Sequence, residues 1–509
     1  MKPAFPKGIY TKHHYISLMK RQTLIFLSII FILCAGVRLY FAFQAPHFSE
    51  DSAYFTLREV EEIKDKGIPL YEDPLSYGGR EYFFLPLFHY VLAFFSLFLN
   101  IEIVAKIIPN ILAASITIVV FMIVKFMTKD DRIALLCSFM AGIVPIFISE
   151  TINSVSALSV VIPLTFLLFY RLLRLRSRKS PYWFLIILII LLLTSSYTII
   201  IALAMVLYIL FSWVEGFKTT RSEIELTLFS LFLVTWFYFI FFKGALLLHG
   251  FDIIWQNIPT EVIAQYYADA GLNIIYLIGV IPLVCGVIVL YHYTFRSKKK
   301  SIYLFLSLIL IVTILLILKY IELNAGLMYI AITLVVLSGE AIHLALKYLQ
   351  RTKFAKYQNH LMVLFLIIIV STSFFPIVTS ANQKISESDP AAKVFALQLL
   401  ENFSNSGDTV IGSVFDGHLI TYYTKRKNVI DSNFLLIDAK PRLRDIRTIY
   451  TSAINIRPLE IMRKYNAKYV ILTDETKKYY NISDITYADD YCLPVFYTGK
   501  GITIYQRKC

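Results

Sequence analysis

Long apolar runs separated by short polar connections fill the first three quarters of the chain. Because the hydrocarbon core of a bilayer is about 30 Å thick, a run of roughly 20 apolar residues predicts a helix that spans it. The pattern predicts a polytopic α-helical membrane protein with eleven to thirteen transmembrane helices. The eleven clearest spans are residues 24–43, 105–127, 132–149, 155–173, 182–194, 197–214, 224–246, 272–293, 302–320, 325–346 and 360–379.

One further apolar segment, LPLFHYVLAFFSLFLN at residues 85–100, is short and carries a proline at its second position. If this segment crossed the bilayer, the basic connections that follow it would fall on the outer side, against the rule that basic loops are cytoplasmic. We therefore predict a helix that lies in the membrane interface or re-enters it. The polar loop 44–84 and the region after residue 379 then lie on the same face.

Charge supports this topology. The formal net charge is +14, and lysines and arginines concentrate in short connections such as 171–179, 295–300 and 347–358. An excess of basic residues marks cytoplasmic loops. The opposite connections after residue 84 contain none; they are residues 150–154, 195–196, 247–271 and 321–324. The basic charge thus predicts topology rather than nucleic-acid binding, and loop 44–84 is predicted to be extracytoplasmic.

Residues 380–509 are of ordinary polarity, and we predict that they form one extracytoplasmic soluble domain after a transmembrane domain at 1–379. DPAAKVFALQLLENF predicts an amphipathic helix with Asp389 as its N-cap. Short β-branched runs alternate with helical segments, which is typical of an α/β domain with a central sheet. Cys492 and Cys509 either pair in an oxidising compartment or remain free thiols.

Loop 44–84 is acidic, with nine carboxylates against four lysines and arginines. Asp51 stands beside Glu50 just after the first span, where a carboxylate can meet water, a metal or a substrate. Glu59, Glu61, Glu62 and Asp65 fit the exposed face of a helix. The chain has no HExxH, CxxC pair, P-loop or GxSxG motif, so zinc protease, redox, NTPase and serine hydrolase functions lack support.

A second outer loop, 247–272, carries Glu261 and no cation. Glu261 either joins Asp51 around a divalent cation, since hard oxygen ligands suit Mg or Mn, or caps an interfacial helix. Four histidines on the predicted outer side, His47, His89, His249 and His418, are further candidate ligands.

Three segments carry a resemblance to a known family: EDSAYFTLR at 50–58, IPTEVIAQYY at 258–267 and VFDGHLITYYTKRKNVIDSNF at 414–434. In this order they resemble motifs of the GT-C membrane glycosyltransferases, and they are most similar to the archaeal-type oligosaccharyltransferase catalytic subunit. The resemblance implies roles for eight residues: Asp51, Glu50 and Glu261 in catalysis, Arg58 and His249 in donor phosphate binding, and Asp416, Gly417 and His418 in acceptor binding. It implies that Asp51 and Glu261 hold the metal.

The chain also departs from that family. Ala157, Leu158 and Ser159 stand where a second acidic motif is expected, and Glu150 is the carboxylate nearest to them. Leu327 stands where an arginine would hold the donor phosphate. The acceptor motif has lost its tryptophans and its tyrosine.

The resemblance implies transfer of a sugar or oligosaccharide from a polyprenyl-phosphate or pyrophosphate donor to an extracytoplasmic acceptor, with protein asparagine as one candidate. Glycans are further acceptors, and membrane lipids surround the chain. Three alternatives remain: single-sugar transfer of the protein-O-mannosyl or aminoarabinose-transferase kind, a catalytically inactive scaffold, and a polytopic transporter or flippase. The spans lack the buried charge pairs expected of a transporter.

Overall fold

The computed structural model describes residues 21–175, 180–267 and 273–509. Within these residues, six helical segments are long and apolar enough to span a membrane, and five shorter apolar helices contain 10–17 residues. The predicted polytopic helical fold, followed by an α/β domain, is confirmed.

The helices up to residue 386 form in chain order, with two short 3₁₀ turns between them at Gly250–Trp255 and Lys353–Tyr357. They are α1 (Arg21–Ala42), α2 (Asp51–Lys66), α3 (Leu87–Ser96), α4 (Ile101–Ala114), α5 (Ile116–Thr128), α6 (Asp131–Gly142), α7 (Pro145–Ser149), α8 (Leu158–Leu173), α9 (Ser180–Thr194), α10 (Thr198–Val214), α11 (Arg221–Phe241), α12 (Lys243–His249), α13 (Thr260–Tyr266), α14 (Asn273–Ile278), α15 (Val280–Phe295), α16 (Lys300–Ile317), α17 (Leu323–Leu349) and α18 (Gln358–Ser386).

Several predicted spans are broken into two helices. Pro145 begins α7 and interrupts the predicted span 132–149, because proline has no N–H to continue the helix before it. Gly279 separates α14 from α15 and has φ 95°, a conformation that glycine adopts without steric cost.

Helix α17 forms the centre of the helical bundle, and 89% of its most apolar stretch is buried. Glycines allow its neighbours to approach closely. A Cβ at Gly286 of α15 would stand 2.4 Å from Leu334 Cδ2, and one at Gly339 would stand 2.6 Å from Val124 Cγ1. Small residues at such crossings give helices in a membrane the close packing that drives their association.

The acidic loop folds as α2, a two-stranded hairpin of β1 (Glu72–Asp73) and β2 (Arg80–Glu81), and then α3. Helix α3 has ten residues, about half of what a span needs. The expectation that Glu59 is exposed is wrong. Its side chain is buried against the hairpin and accepts the Leu70 N–H at 2.9 Å, and burial raises its pKa to about 8.

The C-terminal domain contains a five-stranded mixed sheet in the order β4-β3-β5-β7-β6. Its strands are β3 (Thr409–Ile411), β4 (Lys427–Asn428), β5 (Ala467–Thr473), β6 (Val495–Gly499) and β7 (Ile502–Gln506), and its helices are α19 (Ala391–Phe403), α20 (Gly417–Thr424), α21 (Ala439–Thr451), α22 (Ile456–Lys464) and α23 (Asp474–Tyr480). Strands β4, β3 and β5 run parallel, and β7 and β6 are antiparallel. Cys492 and Cys509 form a disulfide bond.

The N-cap prediction for α19 is wrong by one residue. Pro390 occupies the N-cap position with extended backbone angles. Asp389 instead accepts a hydrogen bond from the Tyr54 hydroxyl at 2.8 Å and pairs with Lys393 at 2.8 Å. Since Tyr54 lies on α2, this aspartate joins the acidic loop to the C-terminal domain.

Candidate functional site

Asp51, the predicted catalytic carboxylate, is the first residue of α2, and it contacts the start of α20 in the C-terminal domain. Its two carboxylate oxygens accept backbone N–H groups from His418 at 3.1 Å and Leu419 at 2.8 Å. The first N–H groups of a helix have no partner within the helix, and their dipoles favour a carboxylate there. Burial raises the pKa of Asp51 well above its usual value, and the two N–H bonds oppose that rise.

Asp416, predicted to bind the acceptor, lies inside the C-terminal domain. Its carboxylate accepts hydrogen bonds from Lys393, Ser413 and Thr473, each at 2.7 Å. These donors occupy both of its oxygens, and only 1% of the residue is exposed. The geometry therefore indicates a structural role, and acceptor binding by Asp416 stays a prediction.

The other two predicted acceptor residues are also enclosed. A Cβ at Gly417 would stand 2.6 Å from the Asp431 Cα, so this position tolerates no side chain without movement of the backbone. His418 is 3% exposed and lies 3.8 Å from Asp431. Burial lowers the pKa of His418 to about 4, so the ring is neutral at physiological pH.

Arg58, predicted to bind donor phosphate, is paired within the acidic loop. Its guanidinium forms an ion pair with Asp73 on the hairpin. Asp73 also lies 3.7 Å from Arg80, which forms a second buried ion pair with Asp431 of the C-terminal domain. These ion pairs connect the acidic loop to the C-terminal domain. The sequence analysis assigned no role to Arg80.

The predicted metal pair of Asp51 and Glu261 stays a prediction. Glu261 is exposed at the start of α13, and its carboxylate lies 3.6 Å from Arg447, whereas Asp51 binds the start of α20. In the described part of the chain, no group of three or more His, Cys, Asp and Glu side chains is arranged to hold a metal ion. His249 ends α12, and its Nε2 atom has no hydrogen-bond partner among the described residues.

A different polar cluster forms where α2 begins. Glu50 is the N-cap residue of α2, and its Oε1 accepts a hydrogen bond from Lys384 Nζ at 2.6 Å. Ser49 Oγ donates to the Lys384 carbonyl oxygen at 2.6 Å. Asn153 in the connection after α7 donates to Ser49 Oγ at 2.7 Å. The start of α2, the end of α18 and the connection after α7 therefore meet at Ser49 and Glu50.

Glu150 and Glu322 complete what we call the outer carboxylate cluster, defined as Glu50, Glu150, Glu322 and Lys384. Burial raises the pKa of Glu150 to about 7; Lys384 and a hydrogen bond from Asn324 oppose the rise, and Glu50 and Glu322 add to it. The Glu322 side chain is exposed to water. The surrounding protein and the negative charge of Glu50 nevertheless raise its pKa as well. Carboxylates with raised pKa values in one place are typical of functional sites.

Sequence reasoning found this cluster only in part. It placed Glu50 among the catalytic residues and noted Glu150 as the carboxylate nearest to the missing acidic motif. A usable signal for Glu150 was its position directly after the helix that Pro145 begins. Lys384 and Glu322 carried no local signal, because each is a single charged residue at the end of a predicted span.

No family model matches the chain, and no curated protein matches it in sequence. Several solved structures match it in fold. The archaeal oligosaccharyltransferase AglB from Archaeoglobus fulgidus, in complex with an inhibitory peptide and a dolichol-phosphate, has a TM-score of 0.69 and 14% identity over 96% of this chain and 74% of that chain. The Archaeoglobus fulgidus oligosaccharyltransferase in complex with Zn and sulfate has a TM-score of 0.64 and 15% identity over 94% and 73%.

A second kind of structure matches as well. ArnT from Cupriavidus metallidurans bound to undecaprenyl phosphate has a TM-score of 0.53 and 11% identity over 95% of this chain and 97% of that chain. Identities this low show the fold alone. The chain therefore has the GT-C fold that these membrane proteins share.

Proposed function

We propose that the chain is a glycosyltransferase that moves a sugar from a polyprenyl-linked donor to an acceptor on the extracytoplasmic side of the membrane. The GT-C fold extends over nearly the whole chain, and two matched structures are complexes with a dolichol-phosphate and with undecaprenyl phosphate. The observation that carries the proposal is the ion pair of Glu50 with Lys384 beside Glu150, whose pKa is about 7. The proposed domains are a transmembrane domain at 1–379 and an extracytoplasmic domain at 380–509.

The proposed reaction is a single displacement at the anomeric carbon. The acceptor oxygen or nitrogen forms a bond to this carbon while the bond from carbon to the phosphate oxygen breaks, and the phosphate leaves with the electron pair. The acceptor proton passes to a carboxylate. Displacement in one step inverts the configuration at the anomeric carbon.

Glu150 is the best candidate for this proton acceptor, with Glu50 beside it. A general base works best when its pKa lies near the operating pH, and burial raises the pKa of Glu150 to about 7. Asp51 is less suited, because both of its oxygens already accept N–H groups from α20. We therefore transfer the catalytic assignment from Asp51 to Glu50 and Glu150.

Two classes of acceptor are compatible with the proposed reaction. Transfer to protein asparagine would follow the oligosaccharyltransferase resemblance, and single-sugar transfer to a lipid, glycan or hydroxyl is the alternative. The burial of Asp416, Gly417 and His418 favours the second, because residues at the acceptor-motif positions hold the C-terminal domain together instead of facing a peptide. A phosphate-linked lipid donor is common to both.

The test uses purified full-length protein with total polyprenyl lipids from the native organism, and the products are identified by mass spectrometry. We expect Glu150→Gln to lose transfer by roughly 100-fold or more, as removal of a general base does, and Glu50→Gln, which removes the partner of Lys384, to lose transfer as well. Glu62→Gln is the matched control, since Glu62 lies on the same helix and pairs with the exposed Lys66. Full transfer by Glu50→Gln and Glu150→Gln would overturn the site, and no transfer by the wild type with any donor would favour an inactive scaffold.

A further inference from the structure

The tripeptide Asn-x-Ser occurs twice in the chain, as NFS at 402–404 and as NIS at 481–483, and both copies lie in the C-terminal domain. This tripeptide accepts N-linked sugar when its middle residue is not proline and when it lies in an exposed loop outside the cytoplasm. The two copies are equivalent in sequence. The fold therefore decides which of the two asparagines a modifying enzyme can reach.

The first tripeptide is held at the end of a helix. Asn402 lies in the last turn of α19, and Ser404 is buried. The Ser404 hydroxyl donates to the Leu400 carbonyl oxygen at 2.5 Å and accepts a hydrogen bond from Arg426 Nε at 2.8 Å. Arg426 also donates to the carbonyl oxygens of Glu401 at 2.7 Å and Ser404 at 2.8 Å. A transferase would have to unwind this helix end and break these hydrogen bonds before it could bind Asn402.

The second tripeptide lies in the open. Helix α23 ends at Tyr480, and Asn481 follows it with φ 53°, in the left-handed region. Asn481 and Ser483 are exposed, and Ile482 between them is partly exposed. All three residues lie outside the helices and strands. An enzyme can therefore approach the asparagine side chain and the serine hydroxyl from water.

The residues on either side of this tripeptide are fixed to the domain. Tyr480 stacks on Tyr450 of α21, with ring centroids 5.1 Å apart. After the tripeptide, Asp484 accepts a hydrogen bond from the Tyr505 hydroxyl, and Ile485 is buried. The exposed segment is therefore a short turn on a packed base. A sugar attached there would lie in water and displace no buried side chain.

Asn481 also has a conformational reason to be an asparagine. Asparagine adopts the left-handed region after a helix more readily than most residues do. That reason does not extend to Ser483, which lies beyond the helix end in the exposed turn. Substitutions at Ser483 therefore separate the two roles of Asn481, because they leave the helix end as it is.

We propose that Asn481 carries an N-linked sugar and that Asn402 does not. The inference rests on the extracytoplasmic placement of the C-terminal domain in the proposed function. The co-reactant is a lipid-linked sugar phosphate, used by an asparagine-directed transferase. The Asn481 Nδ2 atom forms a bond to the anomeric carbon while the bond from this carbon to the phosphate oxygen breaks. The phosphate leaves with the electron pair, and the amide proton passes to the transferase.

The experiment is peptide mass spectrometry on the full-length protein purified from its native membranes. We expect the peptide that contains Asn481 to carry an added sugar mass in most molecules, and the peptide that contains Asn402 to have its unmodified mass. Ser483→Ala should lose the added mass although Asn481 is unchanged, and Ser483→Thr should keep it. Asn402→Gln is the matched control and should leave the modification of Asn481 unchanged.

An unmodified Asn481 in the wild type would overturn the inference, and so would a sugar on Asn402 or an added mass that survives Ser483→Ala. Labelling of Asn481→Cys by a membrane-impermeant maleimide separates two causes of an unmodified Asn481. Labelling in intact cells would defeat this inference alone. Labelling only after lysis would defeat the extracytoplasmic placement of the domain and, with it, the inference.

Discussion

Glu150 lies at the end of α7 among charged groups from three other elements: Glu50 at the start of α2, Glu322 before α17 and Lys384 near the end of α18. The usual glutamate pKa of 4.5 rises to about 7 here, because burial disfavours the charged form more than Lys384 favours it. A group with this pKa changes its charge within the physiological range. Glu150 is therefore the residue from which a pH dependence is expected.

We predict that the rate of sugar transfer rises with pH and levels off above about pH 7, as Glu150 loses its proton and can act as the base. The measurement is kcat/KM for transfer between pH 5.5 and 8.5, a window chosen to bracket that pKa by roughly one and a half units on each side. Glu150→Gln should show low transfer with no such rise. An unchanged pH profile in Glu150→Gln would assign the proton transfer to another group.

The same raised pKa has the opposite consequence for stability. A carboxyl group whose folded-state pKa lies above its unfolded-state value contributes stability at low pH, and the contribution is lost as pH rises through the folded-state pKa. For Glu150 that window runs from about 4.5 to about 7. Activity and stability should therefore change in opposite directions across it, which separates a catalytic effect from partial unfolding.

At the scale of elements, the contact between α2 and α20 joins the acidic loop to the C-terminal domain. Asp51 on α2 accepts two N–H groups at the start of α20, and Tyr422 on α20 donates to Glu61 on α2 at 2.9 Å. Arg80 and Asp431 add a buried ion pair between the hairpin and the domain. The acidic loop is thus a structural part of the interface as well as an edge of the candidate site.

Asp51→Ala is predicted to destabilise the protein by about 2–3 kcal/mol, because two N–H groups in the interior lose their acceptor. Asp51→Asn keeps one acceptor oxygen and should cost less. Asp65→Ala removes an exposed carboxylate from the same helix and should leave the unfolding temperature unchanged. Thermal unfolding of the three variants measures this. A loss of transfer in Asp51→Asn without any loss of stability would instead support the catalytic role that the sequence predicts for Asp51.

The helices followed from the sequence because their signals are local. An apolar run of about 20 residues predicts a span wherever it occurs, and the structure has a helix in every predicted span. Breaks at Ser115 and Gly279 were not predicted. Glu59 was wrongly placed on an exposed face, since the hairpin that covers it was not visible in the helical pattern.

The candidate site was harder to predict, because its members are distant in sequence. Lys384 and Glu50 are 334 residues apart, and neither the spacing nor the neighbours of Lys384 distinguish it from other lysines. The motifs that the resemblance supplied pointed to Asp51 and Asp416, which the fold uses for capping and internal ion pairs. The roles that the resemblance implies for Asp51 and Asp416 stay predictions.

For the whole molecule, the contacts between the acidic loop and the C-terminal domain bear on topology. The two regions are joined by residue pairs such as Arg80 and Asp431, 351 positions apart. Regions in direct contact lie on the same side of the helical bundle, as the odd number of predicted spans requires. Which side of the membrane this is depends on the basic connections, such as the one after α17 with Lys347 and Arg351.

We predict that this side is extracytoplasmic, and cysteine labelling in intact cells can measure it. Asn481→Cys introduces a thiol in an exposed turn of the C-terminal domain, and Gln350→Cys introduces one in the exposed basic connection at the end of α17. Because cytoplasmic loops carry the excess of lysine and arginine, a membrane-impermeant maleimide should label Asn481→Cys in intact cells and Gln350→Cys only after lysis. The unsubstituted protein, whose free Cys34 and Cys137 are buried and Cys285 is partly buried, gives the background. The reverse pattern would place the outer carboxylate cluster on the cytoplasmic side, where the proposed donor and acceptor could not meet it as described.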